Sequence, residues 1–251
     1  MRKRPLRKNR TVTIKSVKII GLGGVGTPVA QAMVQFLSSR RLACSVWLID
    51  GDTFEERNRD RVLFQSYENK AVAKAAELTD ACNRGVNILP VPKHVTPTNV
   101  AKLIEEGDVV HLCVDNHATR KLVSKRCRRL NNVVLFSGGN DGVTENAEGT
   151  FGNVQVYIRR AGQDLTNPLT RFHPEIARPK DKRPDELGCA AMIEAATAPQ
   201  LLITNLAVAS GMLSTFYAWF IGKLGYEELF LDITLGKMVP VRRAINETRR
   251  K

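Results

Sequence analysis

The chain is predicted to fold as an α/β protein: a Rossmann-like, mostly parallel sheet with helices on both faces, plus an antiparallel C-terminal extension. Three observations carry this. An apolar run, Val17–Ile20, enters Gly21-x-Gly23-x-x-Gly26, a helical stretch follows, and a second apolar run, Val46–Ile49, closes on Asp50. Strand-like and helix-like stretches then alternate with short loops through the first half. The second half loses that alternation: Asn153–Ile158 sets Val154, Val156 and Ile158 on one face with period two, as an antiparallel or edge strand does.

Taken in order, the strand candidates of the first half are Val17–Ile20, Val46–Ile49, Val86–Val91, Val109–Val114 and Val133–Phe136. Between them lie helix candidates Val25–Ser38, Asn69–Ala81, Pro97–Glu105 and Ala118–Leu130. After Ile158, residues 159–187 are rich in proline and charge and show no periodicity, which marks a crossover segment that is functional or disordered. Apolar helices follow, then a closing hairpin over Leu229–Val241 that turns at Leu235-Gly236-Lys237. No internal repeat or linker divides the chain. One domain over residues 17–241 is expected, its nucleotide-binding half near 17–137, flanked by tails at 1–16 and 242–251.

The glycines and the acid have distinct physical tasks. Gly21 permits a tight turn, Gly23 lets the backbone approach a nucleotide, and Gly26 lets the helix pack close to the strand. The helix N-terminus offers unpaired N–H groups to an anion. Asp50, at the end of the second strand, is placed to accept both ribose hydroxyls.

Composition sets the outer bounds. The 251 residues are 43% hydrophobic and can bury a substantial core. The net charge is +13, but six positive charges fall in residues 1–10 and a net four in 242–251, which leaves +3 on the rest. The basic ends therefore read as tails, open to nucleic acid, to an acidic partner, or to solvent alone. The five cysteines (44, 82, 113, 127 and 189) form no C-x-x-C pair, which argues against a disulfide framework or a structural zinc and fits a reducing cytoplasm. His111, Cys113, His117 and Cys127 mix strand and helix positions and make a poor metal set. The N-terminus lacks the apolar run of a secretory signal. Residues 195–222 carry no charge, yet Pro199, Gln200, Thr204, Asn205, Ser210, Ser214 and Thr215 interrupt them. A buried or subunit-interface helix is expected there, not a membrane span.

Beyond Asp50 the sequence places Asp52, Asn58, Arg61, Lys74, Asp115, Asn116 and Arg120 in or near loops that follow strand C-terminal ends. In an open α/β sheet, ligands bind at that edge. Two cations near a ribose acid point to a ligand with more charge than a pyrophosphate, and an aspartate directly after a strand can hold magnesium. Nicotinamide chemistry needs none of this. The competing reading of Arg61 and Lys74 is an ion pair with Glu55, Asp60 or Glu77.

In these residues the chain resembles the ThiF/MoeB/HesA family, adenylating proteins related to ubiquitin-activating enzymes. That family's pattern is G-x-G-G-x-G, D-x-D, N-x-x-R, a lysine about thirteen residues on, and D-N-x-x-x-R. The matching residues are Gly21-Leu22-Gly23-Gly24-Val25-Gly26, Asp50-Gly51-Asp52, Asn58-Arg59-Asp60-Arg61, Lys74, and Asp115-Asn116-His117-Ala118-Thr119-Arg120. The resemblance is close over 17–137 and holds only in outline beyond. It implies binding of ATP with magnesium and activation of the C-terminal carboxylate of a small ubiquitin-like, β-grasp partner as an acyl-adenylate. It also implies that Asp50 holds the ribose, that Asn58, Arg61 and Lys74 hold phosphates, that Asp115 holds the metal, and that the protein is a homodimer. Gly24, Asp52, Asn116 and Arg120 complete the nucleotide-binding set by the same likeness.

The departures from the pattern are informative too. Relatives often carry two C-x-x-C zinc pairs, absent here, which points to a zinc-less standalone bacterial subgroup such as the ThiF proteins of PRTRC systems. Val62 stands where a glutamine is usual, and Glu68-Asn69-Lys70-Ala71-Val72-Ala73 replaces a glycine and a proline before the lysine. Cys189 begins an apolar stretch at the place where some relatives carry a cysteine that receives the activated partner. A helix N-terminus and the nearby Lys182 or Arg183 would lower its pKa; the competing reading is a small buried residue. Two other classes of function fit the bare fold: a NAD-dependent oxidoreductase, and a catalytically idle nucleotide-binding scaffold.

Overall fold

The computed structural model describes residues 14–59, 62, 64–81, 85–145, 147–187 and 200–242. β1 (Ser16–Ile20) leads through the glycine turn into α1 (Gly26–Ser39) and β2 (Cys44–Ile49). After a 3-10 turn (Glu56–Asn58) come α2 (Lys70–Ala81), β3 (Val86–Val91), α3 (Val100–Leu103), β4 (Val109–Leu112), α4 (His117–Cys127) and β5 (Val133–Asn140). A small separate hairpin, β6 (Val143–Thr144) and β7 (Ala147–Glu148), precedes β8 (Phe151–Arg160) and β9 (Gln163–Asp164). Then follow α5 (Pro174–Ala177), a 3-10 turn (Pro184–Glu186), α6 (Leu202–Phe220), β10 (Glu228–Asp232) and β11 (Lys237–Val241).

The main sheet runs β11-β10-β8-β5-β4-β1-β2-β3, with β9 paired to β8. From β3 to β5 all pairs are parallel; from β5 to β11 all are antiparallel. The expected mixed architecture is therefore present. Parallel strands covered on both faces read as continuous apolar runs, and β1 shows why. Val17 and Ile19 pack with α1, α2 and α6, while Ile20 packs with the residues under α3, α4 and α5.

Three expectations are refined. The helix expected over Pro97–Glu105 is only Val100–Leu103, because Ile104 already turns extended. The one expected over Ala118–Leu130 begins at His117 and ends at Cys127. The strand expected over Asn153–Ile158 is antiparallel but longer, and it lies inside the sheet between β5 and β10. Its alternation arises because Val154 and Val156 face α6 while its other face meets the crossover segment. Among the described residues no helix is long and apolar enough to cross a membrane.

Residues 159–187 are ordered, held by polar ties that periodicity cannot reveal. Asn167 donates from both its backbone N–H and its amide to Glu227 at 2.9 Å. His173 lies between Glu175, 2.8 Å from Nδ1, and Glu228, 2.7 Å from Nε2. Asp181 accepts the backbone N–H groups of His117 and Ala118 at 2.6 and 3.0 Å, at the start of α4. Burial works against charging His173, but the hydrogen bonds to Glu228 and Glu175 prevail and raise its pKa above 6.5. Stability from this group is full below pH 6.5 and is lost as pH rises through the raised value. Denaturation midpoints measured across neutral pH should thus fall more steeply for the wild type than for His173→Gln; parallel profiles would remove the tie.

Candidate nucleotide site

The order of strands reverses between β1 and β4, since the chain leaves β1 toward β2 on the other side. A crevice opens at the carboxyl edge of an open α/β sheet at such a point. Gly21 turns there with φ of +87°, and a Cβ on it would lie 2.9 Å from the Cys113 carbonyl oxygen. Only glycine satisfies both conditions at once. A Cβ on Gly26 would stand 1.7 Å from the Gly21 oxygen, so the helix start and the turn are pressed together. Among the described residues Gly23 has no neighbour within 4 Å of its missing side chain, the open position that a close backbone–ligand approach requires.

Asp50 ties this loop to the end of β2. Its Oδ2 accepts the Leu22 N–H at 2.6 Å and its Oδ1 the Asp52 N–H at 2.8 Å. Each carboxylate oxygen keeps a further lone pair for a hydroxyl donor. Burial raises the Asp50 pKa, and Lys70 pulls in the opposite direction. Lys70 itself stands 3.1 Å from Asp52, and the His94 Nε2 lies 3.6 Å from the other Asp52 oxygen. Asn69 donates to the carbonyls of Asp50 and Asp52, both at 3.0 Å.

Sequence reasoning did not assign Asn69, Lys70 or His94. Asn69 and Lys70 stood in the stretch that departs from the family pattern, at the start of a predicted helix. A cation opening a helix after an acidic loop was the available signal. His94 had none: its ring occupies the space a Cβ on Gly51 would need, 2.5 Å away, a purely tertiary contact.

The remaining candidates divide. Asp115 is exposed just beyond β4, and Asn116 caps α4 by accepting the Thr119 N–H at 2.8 Å. Asn58 lies in the 3-10 turn, where its side chain accepts the Glu55 N–H at 3.0 Å. Lys74 is buried, with its ammonium 4.5 Å over the Phe64 ring and paired to Glu77, the partner named by the competing reading. Arg120 is buried as well. Its Nη2 donates to the carbonyls of Val114 and Gly138, each at 2.8 Å, so it ties the ends of β4 and β5 together behind the crevice. Arg61 and Cys189 lie outside the described residues.

His111 and Cys113 face away from the crevice, into the core. His111 lies against Phe136 and Phe216 and, wholly desolvated, has its pKa lowered to about 3, so it is neutral. Burial pushes the Cys113 thiol up to about 12, which leaves it without thiolate at neutral pH.

Comparison with known proteins adds to this geometry. The chain is 33% identical over 111 residues to the adenylyltransferase and sulfurtransferase uba4 of Aspergillus fumigatus, covering 43% of this chain and 22% of that protein. It is 28% identical over 151 residues to the adenylyltransferase and sulfurtransferase MOCS3-2 of Zea mays, covering 59% and 29%. The chain thus spans about a quarter of the length of these curated relatives. The crystal structure of E. coli MccB with ATP superposes with a TM-score of 0.68 at 17% identity, covering 95% of this chain and 66% of that one. The ThiF family matches residues 6–229. With the glycine turn, Asp50 and the α4 cap lying at one sheet edge within that matched span, this chain belongs to the ThiF family.

Proposed function

We propose that the protein binds ATP with magnesium and adenylates the C-terminal carboxylate of a small ubiquitin-like partner. The observation that carries this is the Asp50 carboxylate, joined to the glycine loop through Leu22 and still able to accept ribose hydroxyls. The fungal and maize relatives, both adenylyltransferases and sulfurtransferases by name, and the ATP in the MccB structure support the same choice. Asp115 fits a magnesium site: it is an exposed hard-oxygen donor with no hydrogen-bond partner among the described residues, and magnesium binds through one or two carboxylates plus substrate phosphates. Bound there, the ion would supply charge neutralisation at the phosphates.

The reaction asks little of a general base, because a C-terminal carboxylate is already ionised at neutral pH. A carboxylate oxygen attacks the α-phosphorus, the bond from that phosphorus to the bridging oxygen breaks, and pyrophosphate leaves. The protein's task is to bring two anions together and to stabilise charge as it moves to the leaving group. Asn58 and Arg61 are the proposed phosphate contacts, and Lys74 joins them by exchanging its Glu77 partner for a phosphate oxygen; Arg120 acts from behind by fixing the ends of β4 and β5. ATP–pyrophosphate exchange, stimulated by a β-grasp protein with a free C-terminus, tests the reading. Stabilisation by NAD and not by ATP with magnesium would instead favour the oxidoreductase. Salt-sensitive binding to nucleic acid through the basic tails, without exchange, would favour the scaffold.

Onward transfer through Cys189 is part of the proposal. Cys189→Ala should leave exchange at the wild-type rate, since adenylation needs no thiol, and should abolish any covalent partner adduct. An adduct that survives on the variant would move attention to another nucleophile.

A homodimer is also proposed. Leu202, Ile203, Leu206 and Tyr217 are exposed on α6, an apolar surface that a second copy would cover. Ile203→Glu combined with Leu206→Glu should shift the protein to monomer in sedimentation; an unchanged mass would place the interface elsewhere.

A further inference from the structure

Gly24 has a different neighbour from the other glycines of the loop. A Cβ on it would lie 2.2 Å from the Asn205 amide nitrogen, so the carboxamide of the first turn of α6 fills the place of the missing side chain. Asn205 is fully buried, and among the described residues neither its amide nitrogen nor its amide oxygen has a hydrogen-bond partner. Such an orphaned amide is costly and rare in native interiors. It is not a floating side chain either: the neighbouring Thr204 is pinned to the Gly149 carbonyl at 2.7 Å, and Val208 and Met212 of the same helix press on Gly138.

An acceptor lies beside it. At the start of α1 the N–H groups of Thr27 and Val29 donate four residues back, to the carbonyls of Gly23 and Val25 at 3.1 and 3.3 Å. The intervening bond, from residue 28 to the Gly24 carbonyl, cannot form because residue 28 is proline and has no N–H. Among the described residues nothing else donates to that carbonyl. An unpaired buried amide and the residue that carries an unpaired carbonyl therefore lie against each other under the loop.

We infer that Asn205 is a positioning residue for nucleotide binding: when the glycine loop closes on the phosphates, the Asn205 amide donates to the Gly24 carbonyl and replaces the helical bond that Pro28 denies. The bond fixes the peptide that follows Gly24, so that the N–H groups of Val25 and Gly26 stay turned toward the anion. Without nucleotide the pair stands open and the amide is an energetic burden on the resting protein. This rests on the nucleotide-binding reading above and adds to it the device that sets the loop.

The test is a set of variants in the full chain. Asn205→Leu keeps the volume and removes the unpaired polar group, so denaturant unfolding without ligand should show stability equal to or above wild type. Its affinity for ATP with magnesium should nevertheless fall about fivefold to tenfold, the worth of one hydrogen bond made only in the bound state. Pro28→Ala restores an N–H at residue 28, so the double variant Asn205→Leu/Pro28→Ala should regain most of that affinity. A residue needed only for packing gives neither the opposed signs nor the rescue. Should Asn205→Leu fail to fold, Asn205→Ala with and without Pro28→Ala carries the same comparison. Wild-type ATP affinity in the Asn205 variant, or no recovery with Pro28→Ala, overturns the inference. Absence of ATP binding by the wild type would instead count against the nucleotide reading itself.

Discussion

Asp50→Ala is expected to abolish measurable ATP binding while the protein stays folded. The carboxylate has two tasks, holding the Leu22 N–H of the glycine loop and receiving the ribose, and alanine removes both. The folding consequence is small because two effects oppose each other. The Leu22 N–H loses its acceptor, a cost of about 1–3 kcal/mol for a buried donor. Against this, burial has raised the Asp50 pKa, so the ionised group weakens the fold at neutral pH. That penalty disappears with the side chain. Calorimetric titration with ATP and magnesium, beside a melting curve, separates the two: a folded variant that binds ATP like wild type would take Asp50 out of the site.

Asp115→Asn is expected to lower the exchange rate by at least roughly 10²-fold, comparable to the loss of one stabilising group at a developing charge. ATP affinity should fall far less. The substitution keeps shape and removes one negative charge, so the difference falls on the metal, which offsets repulsion between the incoming carboxylate and the triphosphate. Exchange at saturating ATP, magnesium and a responsive β-grasp protein gives the readout. A near wild-type rate under those conditions would end the metal role and weaken the case for adenylation over dinucleotide binding.

What could be read from the chain follows from how local each signal is. The glycine turn and Asp50 were legible because strand, turn, helix, strand and acid follow one another within residues 17–50, and the structure gives each glycine the surroundings its spacing implies. The parallel half was legible for the same reason, since each strand announces itself as a short apolar run. The ties of residues 159–187 were not, because Asn167, His173 and Asp181 find their partners 60, 55 and 64 residues away in Glu227, Glu228 and His117. Lys74 shows the limit from the other side. Its spacing matches a phosphate-binding lysine, while its ammonium rests on Phe64 and Glu77. Arg120, read as a nucleotide contact, sits instead on two carbonyls at the ends of neighbouring strands, a geometry that no linear pattern encodes.

The position of α6 bears on whether the chain can be cut. Since the glycine loop, Asp50 and Asp115 all fall before residue 137, it is tempting to treat the nucleotide-binding half as a severable module. α6 forbids this. Val208, Met212, Phe216 and Trp219 share one apolar cluster with Val17 and Ile19 of β1 and with Val29, Met33 and Leu37 of α1. Phe216 also meets the rings of Phe36, His111 and Phe136. A fragment that ends near residue 137 would carry its whole ligand-binding pattern and lack one wall of its interior. Such a fragment should be recovered as aggregate, and should become soluble when a peptide spanning 200–222 is supplied separately. Grafting this site onto another protein therefore means moving a helix that begins 176 residues downstream of Gly26, the end of the loop it supports.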